Sequence, residues 1–438
     1  MVGPTEIAGY YSNLVHGLRA TGCDVIYGII HSNHFAYGKE HPQSSLRRIC
    51  LDLWLWSERH RSHRLIWLLA RLSHQLLVIL YFLFWFPRLD VVIFGFGHSF
   101  LPFNLDLPLL RLFGKTVIVN LGHGSEMRPP YVDGSYLLAD GSSLIPARRL
   151  IAIAKRMRSR VRWFEQWATF VIGAPLSSSL FATKPYINWF AIGIPFADSN
   201  ASGLSRLSEQ AFLESRTPLR IIHAPSKPVL KGTAAIRQAI CNLQRRGFLI
   251  DYREIQGKPN SEVLAELQHC DLVVDQLFSD TPMAALAVEA AFWGKPSLVG
   301  GYGLNELKQL LPSAWCPPTF TCHPSALEAT LERLLMQPEL LRQVGAQARD
   351  FVANRWRSTL VAQRYLGLIK RNFPGDWWFD PSQLRYLHGC GLPESQVSQS
   401  VAEILHADGL QGLQLSSRPD LEQAYLEFAG SLLSSPLD

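Results

Sequence analysis

The sequence predicts an α/β protein: two Rossmann-like, doubly wound domains facing a cleft, followed by a helical C-terminal tail. Three observations predict it. Short apolar runs alternate with helical patterns in the first part of the chain, the same alternation restarts after a polar segment at 194–218, and the pattern is wholly helical from about 324 to 372. Parallel strands covered by helices on both faces produce this alternation. With 47% apolar and 18% charged residues in a chain of 438, a large core is expected and wholesale disorder is excluded.

Taken in order, GYYSNLVHGLRATG (9–22) reads as a helix stopped by a glycine. CDVIYGII (23–30), LDVVIFGF (89–96), KTVIVNLG (115–122) and TFVIGA (169–174) read as buried parallel strands. Residues 194–218 have the composition of a linker. LRIIH (219–223), LIDYREIQ (249–256), DLVVDQLF (271–278) and KPSLVGG (295–301) then supply a second set of strands. The expected domains are 1–197, 198–372 and a tail, 373–438, with two or three short amphipathic helices. Met1-Val2-Gly3 sits where the first strand should already be ending.

Ligands of such sheets sit at the carboxyl ends of the strands. Four loops are therefore placed to open onto one cleft: GPTEIAGYY near the start, LGHGSEMRPP after 115–120, APSKPVLKG after 219–223, and DQLFSDTP before a helix containing Glu289. In the third, Lys231 and Gly232 precede a helix for which Thr233 is the expected N-cap and Gly247 the stop. A helix N-terminus with a neighbouring cation suits an anion, although a surface lysine beside a helix-start glycine has the same pattern. No GxxxxGK[ST] is present, which excludes a nucleotide P-loop. Glu289 lies in MAALAVEAAFWGKP, an otherwise apolar helix. A carboxylate there needs a partner, either a basic side chain or the vicinal hydroxyls of a bound ribose.

Together, HAPSKPVLKGT, VDQLF…AVEAAFWGKPSLV and NLDLPLLRLFGKTVIVNLGHGSEMRPP resemble the retaining glycosyltransferases of the GT-B fold, family 4, over roughly residues 1–370. The resemblance implies that Lys231 grips a donor diphosphate with Gly232 and Ser226 nearby, that Glu289 holds the ribose hydroxyls, and that Gly9 lies close to the phosphates. It implies that His123 approaches the donor sugar, with Gly124, Ser125, Glu126 and Arg128 completing a sugar or acceptor loop. It further implies a nucleotide-diphosphate sugar as donor substrate, no cofactor, no metal, and a lipid-linked or polysaccharide acceptor. Two positions depart from the family: Ser226 replaces an arginine, and Thr281 replaces a glutamate. A catalytically inactive GT-B scaffold and a sugar-nucleotide epimerase are the alternative readings.

Other patterns are weaker. FGFGHSF (94–100) has Phe100 where a dinucleotide site needs its third glycine. His31, His34, His41, His60 and His63 lack metal-ligand spacing and read as surface histidines. The seven cysteines contain no CxxC pair, which suits a reducing compartment, and the start MVGPTEIAGYY has no basic n-region or long apolar run. The net charge of +6 is uneven, with basic clusters at 47–75 and 148–165. The apolar stretch 65–86 is interrupted by Arg71, His74 and Gln75, and reads as either a core or an interfacial helix. The basic helix 148–168, interleaved with aromatics, suits an anionic membrane surface; no recognised nucleic-acid module accompanies it. The expected location is cytoplasmic and peripherally membrane-associated.

Overall fold

The computed structural model describes residues 1–31, 44–138, 140–196 and 218–433. They form a GT-B fold, with two parallel sheets facing a cleft. The first sheet runs β1 (Val2–Gly3), β2 (Val91–Gly95), β3 (Thr116–Asn120), β4 (Phe170–Gly173) and β5 (Tyr186–Asn188) side by side. The second contains β6 (Leu219–His223), β7 (Ile250–Glu254), β8 (Leu272–Val274), β9 (Ser297–Gly300) and β10 (Phe320–Cys322), in the order β10-β9-β8-β6-β7. All these pairings are parallel. Val, Ile and Leu dominate the strands because both faces of each sheet are covered.

The expected strand at 23–30 is not a ladder. It meets β1 at an isolated bridge, Val2–Tyr27, with a second bridge just past both, Thr5–His31. The reason is local: β1 is two residues long, and Pro4, which follows it, has no N–H to donate. Three strands escaped the sequence pattern: β5, β10 and β11 (Trp378–Phe379), the last pairing antiparallel with β5. The polar segment around the 197/198 boundary lies outside the described residues.

The end of the chain returns to the first sheet. Helix Ser358–Ile369 packs on helix Tyr10–Ala20, so closely that a Cβ on Gly17 would lie 2.0 Å from the Ser358 carbonyl oxygen. Tyr10 and Tyr365 share a hydrogen bond of 3.1 Å inside this contact, and Asn120 donates to Tyr365 at 3.3 Å. The tail helices are Glu394–Leu413, broken at non-helical Asp408 and Gly409, and Pro419–Leu433, and their buried faces join the core of the first sheet. Buried Arg418 ties them down by donating to the carbonyls of Ser179, Pro381 and Leu384.

Val299, Leu304 and Leu307 of the second half share the core of the first, and two polar features also link the halves. Arg128, from the first, bonds Asp133 in its own half at 2.9 Å and Asp280 in the second, all three buried. A strap of tail residues also bridges them: Gly134 donates to the Cys390 carbonyl at 2.9 Å, and Gly391 donates to the Phe278 carbonyl at 2.8 Å.

Candidate functional site

Both sheets have a switch point, where strands to either side follow in opposite directions through the sequence. In the second sheet β7 lies on one side of β6 and β8 on the other. In the first, residues 27–31 flank β1 opposite β2. A crevice opens at such a point because the connections leave in opposite directions. Here the two crevices face each other and merge into a cleft of about 470 Å³. Thr5 to Ala8 and His31 line it from the first half, and Ala224 to Ser226, Lys231, Lys258, Asn260, Asp275 and Glu289 from the second.

Lys231 ends a short helix, Pro228–Lys231, at the cleft wall. Its ammonium donates to Asp275 Oδ1 at 3.2 Å and Gln276 Oε1 at 2.6 Å, and the side chain is 21% exposed. An ammonium has three donors, so one is left for a ligand. Asp275 is only 1% exposed, and its Oδ2 has no hydrogen-bond partner. The next residue, Gly232, occupies the N-cap position expected of Thr233, with φ 72°. Glycine is required there twice over: φ is left-handed, and a Cβ would meet Leu277 Cβ at 2.6 Å. Gly232 is buried and does not line the cleft. Thr233 does not cap because its hydroxyl is bonded to His223 Nε2 at 2.8 Å. No side chain caps helix Thr233–Arg245. Ser226, on the loop before Lys231, is exposed at the cleft, while Thr281 stays outside the lining with Oγ1 buried and unpartnered.

Glu289 projects from helix Ala285–Phe292 into the cleft. It forms no ion pair among the described residues; Oε1 accepts from Asn260 Nδ2 at 2.9 Å. Burial pushes its carboxyl up to about 7, the Asn260 hydrogen bond opposes this, and Asp275 adds to it. A carboxylate held at this threshold, with hydrogen-bonding capacity to spare, is suited to neutral hydroxyl donors.

The first half presents a different surface. Gly9, with φ 79°, is the N-cap of helix Tyr10–Ala20, one residue beyond the cleft-lining Ala8. The amides that open this helix are already taken. Glu6 accepts from Ile7 N at 2.9 Å, Tyr11 N at 3.1 Å, Ser12 N at 2.8 Å and the Tyr27 hydroxyl at 2.6 Å. His31 is not the surface histidine expected: it lines the cleft and packs at a tilt against Trp54, with ring centroids 4.2 Å apart. Burial depresses it to about 3, keeping it neutral. His34 and His41 lie outside the described residues.

The loop carrying His123, Gly124, Ser125, Glu126 and Arg128 does not line the cleft; it stands behind the first-half loop. His123 Nε2 is 2.9 Å from the Tyr11 hydroxyl, its ring packs edge-on against Tyr10, and burial lowers its pKa to about 4. The His123 amide donates to Glu126 Oε1 at 3.0 Å. Gly124, with φ 110°, lets Arg128 pass: a Cβ would lie 2.5 Å from Arg128 Nη2. Arg128 is committed to Asp133 and Asp280. Of the residues singled out in the sequence, the structure therefore brings Ser226, Lys231 and Glu289 into one cavity and leaves the His123 loop in a layer behind it. The residues missed were Glu6, Asp275 and Asn260. Asp275 ends an apolar strand, which was a usable signal; Glu6 and Asn260 carried none.

No protein-family model matches the chain, and no curated protein matches it. Among solved structures, Anabaena HepE in complex with UDP and glucose is 12% identical with a TM-score of 0.39, over 67% of this chain and 81% of that one. Staphylococcus aureus MnaA with UDP is 11% identical with a TM-score of 0.40, over 84% and 94%. The glycotransferase of kitacinnamycin is 12% identical with a TM-score of 0.38, over 85% and 98%. Similarity this distant carries no argument about chemistry; the fold rests on the sheet orders above.

Proposed function

We propose that the cleft binds a nucleotide-diphosphate sugar and transfers its sugar, with retention of configuration, to a lipid-linked or polysaccharide acceptor at the cytoplasmic membrane surface. The observation that carries this reading is the pairing of Lys231 and Glu289 across one cavity at the switch point of the second sheet. A cation beside an uncapped helix start suits a diphosphate, and a carboxylate among neutral partners suits ribose hydroxyls.

In a retaining transfer of this type, the departing diphosphate leaves on the face where the acceptor oxygen arrives. The phosphate takes the acceptor's proton, so no side chain has to act as a covalent nucleophile. The protein's part is positioning and charge stabilisation. Lys231 meets the negative charge that builds on the leaving group. Asp275 and Gln276 hold that ammonium in place. Neutral His123 stands in the layer behind the first-half loop and, through its contact with the Tyr11 hydroxyl, holds that wall of the cleft in place rather than acting as a base. No step of this scheme calls for a metal.

The test is calorimetry with a panel of nucleoside diphosphates and their sugars, on wild type and Lys231→Ala. One charge-assisted hydrogen bond contributes roughly 1.5–3 kcal/mol, so the variant is expected to bind about 10- to 100-fold more weakly. Equal affinity in both proteins would remove Lys231 from the site. No binding across the panel, with the wild type folded, would favour the inactive-scaffold reading.

A further inference from the structure

The helix Arg64–Trp85 has two apolar faces, and only one of them is used. Ala70, Val78, Tyr81 and Phe82 are buried, the last three in the core of the first sheet. On the opposite face Leu65, Leu69, Leu72, Leu76, Leu80 and Leu83 are each 49–70% exposed. This stripe is roughly 27 Å long at 1.5 Å per residue. It continues onto the next loops: Gln75 holds the Phe100 carbonyl at 3.2 Å, beside Phe103, which is 88% exposed, and Phe86 packs on exposed Phe113. The segment Arg64–Arg88 is long and apolar enough to cross a membrane. Its inner face is nevertheless built into the core, so the helix lies along a surface instead of crossing it.

We propose that this face is seated in the outer layer of a lipid bilayer with anionic headgroups, the helix lying flat and the leucine stripe among the acyl chains. Charge selects this occupant. The helix itself carries no carboxylate; exposed Arg59, Arg61 and Arg64 stand at one end, where Glu58 pairs with Arg61 and Arg71, and exposed Arg88 and Arg111 stand at the other, near Asp90, so both ends stay net basic. A second copy packed face to face would set basic ends against basic ends; a layer of anionic headgroups meets both ends favourably. The basic helix Ala147–Trp167 adds to the same side: Trp163 donates to the Asn104 carbonyl at 3.1 Å, next to Phe103, and Arg162 beside it is exposed. That helix does not insert, since Val161 and Phe164 face the core. It supplies charge, and the helix Arg64–Trp85 supplies the apolar grip.

The seat also explains how an acceptor with a lipid tail reaches the site. His31 of the cleft wall packs at a tilt against Trp54, with centroids 4.2 Å apart, and against His74, at 5.6 Å. Trp54 lies on the helix Ser45–Arg59 that pairs with Arg64–Trp85, and Arg71 covers it at 3.8 Å. The inner wall of the helical pair is thus the rim of the cleft. This deepens the membrane part of the reading above, and rests on it for the lipid-borne acceptor.

The experiment is co-sedimentation of the full chain with vesicles of mixed phosphatidylcholine and phosphatidylglycerol, at low salt and at about 1 M salt. The wild type is expected to bind and to stay partly bound at high salt, because the leucine contacts are not screened. Leu72→Glu/Leu76→Glu should lower the partition coefficient on the order of 100-fold, about tenfold for each buried leucine. Nucleotide-sugar affinity should be unchanged. Leu69→Ser/Leu80→Ser, checked by circular dichroism and melting temperature, gives the same reading if the first variant misfolds. Wild-type partitioning by both variants would overturn the proposal. So would complete release of the wild type by salt, or a concentration-dependent dimer abolished by the same substitutions, which would assign the face to a second copy. Loss of nucleotide binding with vesicle binding intact would instead sink the cleft reading alone.

Discussion

The two switch-point loops are built alike and treat anions oppositely. After β1, the amides at the start of helix Tyr10–Ala20 point at Glu6, a buried carboxylate from the protein itself. After β6, helix Thr233–Arg245 starts without any side-chain cap, and Lys231 stands at its approach. Sheet topology makes a crevice in each half, but the side chains decide what enters it. In the first half the protein has supplied its own anion. In the second no side chain caps the helix start and Lys231 lines the cleft beside it, which on the proposed reading is the wall a diphosphate meets.

The largest expected effect comes from breaking the link between the halves. Arg128→Ala leaves Asp133 and Asp280 as buried carboxylates without their cation. Losing one partner of such a group costs roughly 3–5 kcal/mol, so the melting temperature should fall by several degrees. A negligible shift in thermal denaturation would mean that the tail strap and the shared core hold the halves without it.

Next is the layer behind the first loop. His123→Ala is expected to lower turnover on the order of 10²-fold with little change in nucleotide affinity, because it removes the support behind the first-half loop and misplaces the wall that faces the sugar. Wild-type turnover would mean that the first-half loop keeps its place without the His123–Tyr11 contact.

The smallest effect sharpens the contrast between the walls through pH. With the Glu289 carboxyl at about 7, donor affinity should rise from about pH 6 to about pH 8 as the carboxylate forms, approaching tenfold per unit below its pKa. A nucleotide-sugar diphosphate does not itself titrate there, and His31 stays neutral at about 3. Stability should change in the opposite sense. A carboxyl raised in the folded state stabilises the fold below its ordinary pKa, and that contribution is lost as pH rises through about 7. Glu289→Gln should flatten both profiles. An affinity profile as steep in the variant as in the wild type would exclude Glu289 as the titrating group.

Lys231 and Glu289 were legible in the sequence because each breaks a local pattern, a cation at a helix start and a carboxylate in an apolar helix. Their convergence follows from strand order, which loop position at the carboxyl ends of strands anticipates. Most strands were legible for a similar reason: both faces of a parallel sheet are buried, so β2, β3, β4 and β6 stand out as continuous apolar runs.

What the sequence determined by itself was therefore the doubly wound alternation and the chemistry of individual loops, since both rest on periodicity and on neighbours a few residues apart. Tertiary structure alone decided the rest. Glu6 became a helix plug only because Tyr11, Ser12 and Tyr27 fold around it, and Arg128 looked like a loop cation until Asp280, from the other half, closed over it. β11 and the tail helices are too short or too weakly patterned to declare their partners. The exposure of one face of Arg64–Trp85 is of the same kind. A helix apolar all round shows which residues avoid water, whereas which of them the protein covers depends on packing against Phe100 and the first sheet, and such long-range contacts leave no local periodicity to read.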